Sequence, residues 1–324
     1  MGNSTCRNQR TVWIDNLKGV LLILIVSVHL GEIPGGVRWL FRSTDLIYVP
    51  AFFFLSGLLF RDAKYTFREF FRRKVKTLLL PYLAISVVVT FLDWNLYRNP
   101  VQTLSDSASS IFWGNGALKA SPLWFVATLF CANILLKAGY AIKNGVLHHA
   151  FFIAMPFACY ALYWYGIRLP FRLNGALGAC FVMYTARYFQ LITGLNRGAR
   201  FGVSLVCLAV VSLGIVKGVG LLNYNMPHAL ISFPAAVAGC YLLCVAFCRL
   251  ATAKFTPPLW VAQNGLPILG FHCLVYFYID VPLKYLHITS PSVAFPLSIL
   301  LVFSVLYFIT IPILQRFCPK LWGY

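Results

Sequence analysis

Two ionisable side chains, Lys18 and His29, stand in an otherwise apolar segment and are the first candidates for chemistry. They are eleven residues apart, which on an α-helix is three turns plus about 20°, so both project from one face about 16 Å apart. Asp15 precedes Lys18 by three positions and Glu32 follows His29 by three, so each carboxylate can approach its neighbour. The segment predicts a single helix face with four ionisable groups.

The types of these residues suggest acid–base work on an anionic ligand. Imidazole titrates near neutrality and can take a proton from a hydroxyl, so His29 is a candidate general base that the Glu32 carboxylate would orient. Lys18 is a candidate to neutralise the ligand. Each buried charge costs about 2.5 kcal/mol or more unless it faces protein or water, which favours function. The alternatives are that Lys18 snorkels to the interface and that His29 bonds a helix carbonyl.

A second candidate site is the basic segment FREFFRRKVKTLLLPY, from Phe67 to Tyr82. Arg73 and Lys76 are three residues apart and can hold phosphates together if the segment is helical. Anionic lipid headgroups would attract the same cations. The segment therefore predicts either a phosphate ligand or a lipid contact.

The elements that must position these residues are transmembrane helices. Of the 324 residues, 60% are hydrophobic and only 11% are charged, against roughly 25% in an ordinary soluble domain. Apolar runs of the length of a membrane span recur along the chain. We expect an all-α integral membrane protein, a single domain over residues 1–324, with about ten transmembrane helices in one bundle. The expected spans are 13–31, 44–60, 78–94, 123–142, 147–165, 173–191, 201–219, 229–248, 259–279 and 293–315.

The net charge of +19 is explained by topology rather than by nucleic acid. With the N-terminus inside and ten alternating spans, 19 Lys and Arg fall inside and 8 outside. This bias is the one that the positive-inside rule predicts. We expect a multi-pass protein of the inner or plasma membrane with both termini in the cytoplasm. The longest polar connection, 95–122, lies outside and either caps a site or is an ordinary loop.

The motifs in their order resemble membrane-bound acyltransferase family 3, especially its fucose 4-O-acetylase-like branch. The resemblance is carried by RxxWIDNLKG from Arg10, the apolar run that ends at His29, PAFFFLSGLLF at 50–60 and the basic segment. PLWFVATLF at 122–130, LNYNM at 222–226 and WVAQNGLPILGFH at 260–272 continue it. It covers nearly the whole chain. One departure is Tyr48, where related members carry a histidine two residues before the proline of the second span.

The resemblance implies an enzyme that moves an acyl group, acetyl by preference, from acyl-CoA to a hydroxyl of a surface or secreted carbohydrate. His29 would be the catalytic residue, with Glu32 beside it, and the family's basic positions would fall on Lys18, Arg73 and Lys76 as ligands of CoA. The residues expected to support the substrate or the structure are Arg10, Asp15, Tyr48, Ser56, Trp124, Asn264 and His272.

The expected cofactor is acetyl-CoA as acyl donor, and no spacing typical of a metal site is present, so no metal is expected. The expected partners are acyl-CoA, a carbohydrate or glycolipid acceptor and membrane lipids, with no nucleic acid. A transporter or flippase for a lipid-linked glycan would also need a basic mouth and buried polar residues. The lack of an evident internal repeat in the sequence counts modestly against that rival.

Overall fold

The computed structural model describes residues 2–31, 33–44, 46–216, 229–250, 253–317 and 319. Within these ranges all the regular structure is helical, which confirms the predicted all-α class. A helix satisfies its backbone polar groups within its own segment, which lipid cannot do for them.

The helices follow the predicted spans closely. The first eight are α1 (Gly2–Val28), α2 (Gly35–Thr44), α3 (Tyr48–Leu59), α4 (Phe67–Lys74), α5 (Leu80–Phe91), α6 (Asn95–Arg98), α7 (Pro100–Phe112) and α8 (Trp124–Tyr140). The next nine are α9 (Gly145–Trp164), α10 (Leu173–Thr185), α11 (Phe189–Thr193), α12 (Arg197–Val216), α13 (Ala229–Leu250), α14 (Thr256–Gln263), α15 (Gly265–Tyr285), α16 (Pro291–Val305) and α17 (Ile311–Phe317).

Length and composition mark a multi-pass membrane protein. Among the described residues, 6 helices are long and apolar enough to cross a membrane, and two shorter apolar helices cover 48–58 and 124–140. Each predicted span falls on a described helix or on part of one, apart from 217–219, which lie outside the described residues. The figure of about ten spans stays a prediction.

Helix α1, which carries the first candidate residues, packs against α3, α13, α14 and α15. A Cβ on Gly19 would lie 1.9 Å from the carbonyl oxygen of Pro258, so only glycine lets α14 approach this closely. The side chain of Asn16 donates to the carbonyl of Ala253 at 2.7 Å and accepts from the N–H of Phe255 at 3.4 Å. These contacts fix α1 against the connection that precedes α14.

The basic segment forms one long helix with a π-helical insertion. Thr66 and Glu69 make a capping box at the start of α4, in which each side chain accepts a hydrogen bond from the backbone N–H of the other residue. After α4 the backbone is π-helical over Val75–Leu79, and Leu80 N–H donates to the carbonyl of Val75. Pro81 follows and has no N–H to donate, so the ordinary α-helical ladder cannot continue through it.

The long polar connection 95–122 is helical rather than an open loop. It consists of α6, α7 and a 3₁₀ segment, Leu118–Leu123. Tyr82 anchors it, because the phenol donates to the carbonyl of Ile111 at 2.8 Å and accepts from the N–H of Gly116 at 3.1 Å. The ammonium of Lys119 lies 4.0 Å from the ring centroid of Phe277, so the 3₁₀ segment also covers α15. We call this end of the bundle the loop end and the end with α4 the basic end.

Small residues set the spacing between the central helices. Gly57 of α3 faces α10, and a Cβ there would lie 2.1 Å from the carbonyl oxygen of Met183. Close approach of this kind is typical of helix packing in membranes. Gly57 is therefore a packing position between α3 and α10.

We predict that Gly57→Ala destabilises the fold, because the new methyl group meets backbone that cannot rotate away. Overpacking of this kind costs about 1–3 kcal/mol. Gly202 of α12 is the matched control, since a Cβ there meets nothing within 4 Å. The midpoint of thermal unfolding in detergent should fall for Gly57→Ala and hold or rise for Gly202→Ala. Equal midpoints for the two variants would contradict the close approach.

Candidate functional site

His29 lies just after the last residue of α1, with its ring tied to its own helix. Its Nδ1 lies 2.6 Å from the carbonyl oxygen of Ile25. A carbonyl oxygen only accepts, so Nδ1 carries the proton in this contact and Nε2 carries the lone pair. The contact with a helix carbonyl is the structural alternative considered above, yet it orients the imidazole with its basic nitrogen available.

His272 of α15 lies directly beside His29. The two ring centroids are 5.4 Å apart and the rings meet edge to face at 74°. His272 is completely buried, and its Nδ1 lies 2.9 Å from the carbonyl oxygen of Ile268, so it has the same tautomer as His29. The sequence named His272 only as a supporting residue, and the structure makes it half of a histidine pair.

Two of the predicted partners of this site cannot be placed. Glu32, expected to orient His29, lies outside the described residues. Arg10 belongs to α1, but its side chain also lies outside the described part of the chain. The orienting contact that the structure does describe for His29 is the carbonyl of Ile25.

The predicted contact between Lys18 and Asp15 is present. The ammonium lies 3.8 Å from the carboxylate across one turn of α1, and both side chains are about one-third exposed. Ile14, one turn before Lys18, lines a cavity at the basic end. The face of α1 therefore runs from this cavity toward the histidine pair.

The basic cavity, as we call it, has a volume of about 800 Å³ and lies between α3, α4 and α8. Its described lining residues include four cations and no acid. The cations are Arg61, Lys64, Arg73 and Lys74. Ser56, Asn133 and Gln190 add neutral polar groups. The cavity thus carries a concentration of positive charge that would attract anionic groups, whether of a ligand or of lipid headgroups.

Tyr65 organises two of these cations. Its hydroxyl accepts a hydrogen bond from the guanidinium of Arg73 at 2.7 Å. The guanidinium of Arg73 and the ammonium of Lys64 each lie 5.2 Å from the centroid of its ring. A cation within about 6 Å of an aromatic ring is attracted by the ring quadrupole. Tyr65 therefore holds two mutually repelling cations on one cavity wall.

Arg73 and Lys76, predicted to hold phosphates together, do not both line the basic cavity. Arg73 lines the basic cavity, whereas Lys76 is exposed within the π-helical insertion and is not among the lining residues. Their spacing of three presumed a regular α-helix, and the π-helical turn changes the direction of the side chains that follow Lys74. The structure brings Lys64 and Lys74 beside Arg73 instead.

The rim of the basic cavity is fixed by a salt bridge. The ammonium of Lys137, near the end of α8, lies 2.7 Å from both the carboxylate and the backbone carbonyl of Asp62. Lys137 is only 9% exposed, so its charge is well shielded from water. This contact ties the segment that carries Arg61 and Lys64 to α8.

A second cavity, of about 400 Å³, opens at the loop end, and we call it the tryptophan cavity. Trp124, a predicted supporting residue, lines it together with Trp113, Tyr163 and two arginines, Arg168 and Arg172. It contains none of the predicted catalytic residues. It is a separate cavity from the basic cavity, with aromatic and cationic lining residues.

The remaining supporting residues have structural positions. Tyr48 is buried at the start of α3. Asn264 is buried where α14 gives way to α15, and its amide donates to the carbonyl of Trp260 at 2.8 Å. Ser56 lines the basic cavity. Of the supporting residues whose side chains the structure describes, Ser56, Trp124 and His272 reach one of these two cavities or the histidine pair.

Sequence reasoning missed Tyr65, Asp62 and Arg172. Tyr65 lies in the short connection before α4 and carries no motif of its own. Asp62 meets a lysine 75 residues away, a separation that spacing along a helix cannot reveal. For Arg172 the sequence offered one weak signal of a function: the positive-inside rule disfavours a basic residue in an external loop.

Nearly the whole chain matches one known protein family. A family model described as an acyltransferase domain matches residues 11–314. No curated protein matches the chain, and no solved structure does. The matched range includes the histidine pair, the basic segment and the tryptophan cavity.

Proposed function

The chain belongs to acyltransferase family 3, and from this premise we propose that it moves an acyl group, acetyl by preference, from acyl-CoA to a carbohydrate hydroxyl. The family match supports a membrane acyltransferase. The observation that carries the finer proposal is the orientation of His29, whose Nδ1 is held by a carbonyl so that Nε2 is the basic nitrogen. A resemblance to the fucose 4-O-acetylase-like branch makes a sugar the expected acceptor.

The chemical step needs one base. The Nε2 atom of His29 takes the proton of the acceptor hydroxyl, and the oxygen attacks the thioester carbonyl carbon. The carbon–sulfur bond then breaks, the ester forms, and the proton passes from the imidazolium to the thiolate of CoA. In the alternative route Nε2 itself carries the acyl group briefly. His272 acts as a positioning residue, since its ring and that of His29 meet edge to face.

The donor is expected to enter from the basic end. CoA carries its phosphates at one end of a long, narrow molecule and the thioester at the other. The four cations of the basic cavity suit the phosphates, and the face of α1 leads from Ile14 to His29, fifteen residues later. Fifteen residues of helix span about 22 Å. Lys18 lies between the two and would contact the extended part of the donor.

We predict that His29→Ala loses acyl transfer by about 10²- to 10⁴-fold while the protein still inserts, because general-base catalysis contributes rate of that order. His272→Ala should fall between this variant and the unaltered protein. Transfer of acetyl from acetyl-CoA by purified protein is the measurement. Exposed His287 has a positive φ that asparagine tolerates, so His287→Asn is the control and should keep full activity.

Near-normal transfer by His29→Ala, with transfer abolished in His272→Ala, would show that the general base is His272 on α15 and not His29. If neither change affects acetyl transfer but both abolish translocation of a lipid-linked glycan, the chain is a transporter or flippase and not an acyltransferase acting through His29.

We predict that Arg73→Gln and Lys64→Gln each raise the apparent KM for acetyl-CoA by about tenfold, the effect of losing one charge-assisted contact to a phosphate. The kcat should change little. Lys76→Gln removes the same charge from the same segment without touching the basic cavity, so it is the matched control. A donor KM that rises equally in all three variants would assign the effect to net charge rather than to the cavity.

The proposed direction of entry requires the basic end to face the cytoplasm. Topology reporters fused to the N- and C-termini should both report a cytoplasmic location, as the 19 to 8 distribution of Lys and Arg predicts. Two ends on opposite sides of the membrane would contradict the ten-span topology.

A further inference from the structure

We propose that the tryptophan cavity binds a carboxylate-bearing sugar of the acceptor carbohydrate. This inference rests on the proposed function, because it names the class of acceptor that the acyltransferase would modify. It is carried by the aromatic walls of the cavity, by its two arginines and by the backbone that aims one of them inward.

Aromatic side chains form the walls on two sides of the cavity. Trp113 follows α7, Trp124 begins α8 and Tyr163 lies near the end of α9. The C–H faces of a sugar ring are apolar and pack against aromatic rings, while Asn115 and Asn174 offer amide groups to its hydroxyls. The cavity thus combines flat apolar surface with hydrogen-bonding groups, as a carbohydrate site requires.

The charge of the cavity favours an acidic sugar over a neutral one. Arg168 and Arg172 both line it, and none of its described lining residues is an acid. The Nε of Arg172 donates to the side-chain oxygen of Asn115 at 2.7 Å, and its guanidinium lies 5.5 Å from the ring centroid of Trp124. A guanidinium held in this way is pre-organised, and its planar fork suits a carboxylate.

The backbone that presents Arg172 is in an unfavourable conformation. Phe171 and Arg172 have φ of 53° and 55°, the left-handed region that residues with a Cβ rarely adopt. Gly114 packs against this turn, and a Cβ there would lie 2.7 Å from the Phe171 backbone. Two neighbouring residues held at positive φ mark a site where local strain is retained, which is commonly a binding site.

The turn is held from both sides. The side-chain oxygen of Asn174 accepts from the N–H of Leu169 at 2.7 Å, and its amide donates to the carbonyl of Ile167 at 2.5 Å. On the other side, the Cys131 thiol lies 3.6 Å from the carbonyl oxygen of Phe171. These contacts keep the turn that carries Arg168 and Arg172 closed over the cavity.

The position of the cavity suits an acceptor that arrives from the side opposite the donor. Thr128 of α8 lines the tryptophan cavity, and Asn133 of the same helix lines the basic cavity. Five residues of helix span about 7.5 Å. The two cavities therefore open at neighbouring levels of α8, on faces of that helix about 140° apart, one toward each end of the bundle.

The test is binding by calorimetry with the full chain in nanodiscs of neutral lipid. The probes are a tetramer of glucuronic acid and a glucose tetramer of the same linkage, which differ only at the carboxylates. We expect the acidic tetramer to bind at least about tenfold more tightly, the effect of one charge-assisted contact. Arg172→Gln and Arg168→Gln should each reduce this ratio, and Arg172→Lys should retain part of it. Lys143→Gln, an exposed cation at the other end of the bundle, should leave it unchanged.

Equal affinity for the two tetramers, or a preference that survives in Arg168→Gln and in the double variant with Arg172→Gln, would overturn the inference. Loss of the preference when the nanodisc lipid is made anionic would assign the arginines to lipid headgroups and overturn it as well. A separate measurement, cleavage of acetyl-CoA by the unaltered protein and by His29→Ala, tests the acyltransferase proposal independently of the acidic-acceptor proposal. If cleavage persists while the preference is absent, the acyltransferase stands and only the acidic acceptor falls.

Discussion

The lack of water inside a bilayer is the constraint on which this structure depends. Every polar group there must find a partner in protein, and the nearest carbonyl is one turn back on the same helix. Ser27, His29 and His272 all use such a carbonyl. For the Ser27 hydroxyl this contact only satisfies a hydrogen-bond donor. For an imidazole it also decides the tautomer, because a carbonyl oxygen cannot donate. The apolar surroundings of the bilayer therefore determine which ring nitrogen of each histidine carries the proton.

The same constraint accounts for the distance between the cations of the basic cavity and the histidine pair. The described cations of the basic cavity are kept at one end, where Tyr65 and the Asp62–Lys137 salt bridge hold them in place. The histidine pair lies farther along α1, and His272 is completely buried. Helices of fixed rise act as spacers between these levels. In the proposed reaction the anionic part of the donor is held at the basic end, while its reactive end reaches the level of the histidine pair, where the described cations of the basic cavity do not extend.

The sequence predicted the features that follow from local periodicity. The helical class, the positions of the spans and the contact between Asp15 and Lys18 all depend on residues that are near in sequence. The pairing of His29 with His272 depends on which helices pack together, and neither residue carries that information alone. Lys76 does not lie beside Arg73 on the wall of the basic cavity, because a π-helical turn follows Lys74 where the prediction assumed a regular α-helix. The tryptophan cavity escaped notice because positive φ at Phe171 and Arg172 has no signal in residues other than glycine.

Acyl transfer consumes no net proton, which suits a site with one half-buried imidazole, His29, beside a fully buried one, His272. In the proposed reaction the acceptor hydroxyl gives up a proton as the ester forms, and the thiolate of CoA takes one up as the carbon–sulfur bond breaks. One imidazole can hold that proton between the two events, so the reaction itself needs no chain of waters to either surface. Hydrolysis, in contrast, requires water at the thioester, and a site packed against α15 limits its access. Packing of α15 against α1 at this level would therefore favour transfer of the acyl group to an acceptor over its loss to water.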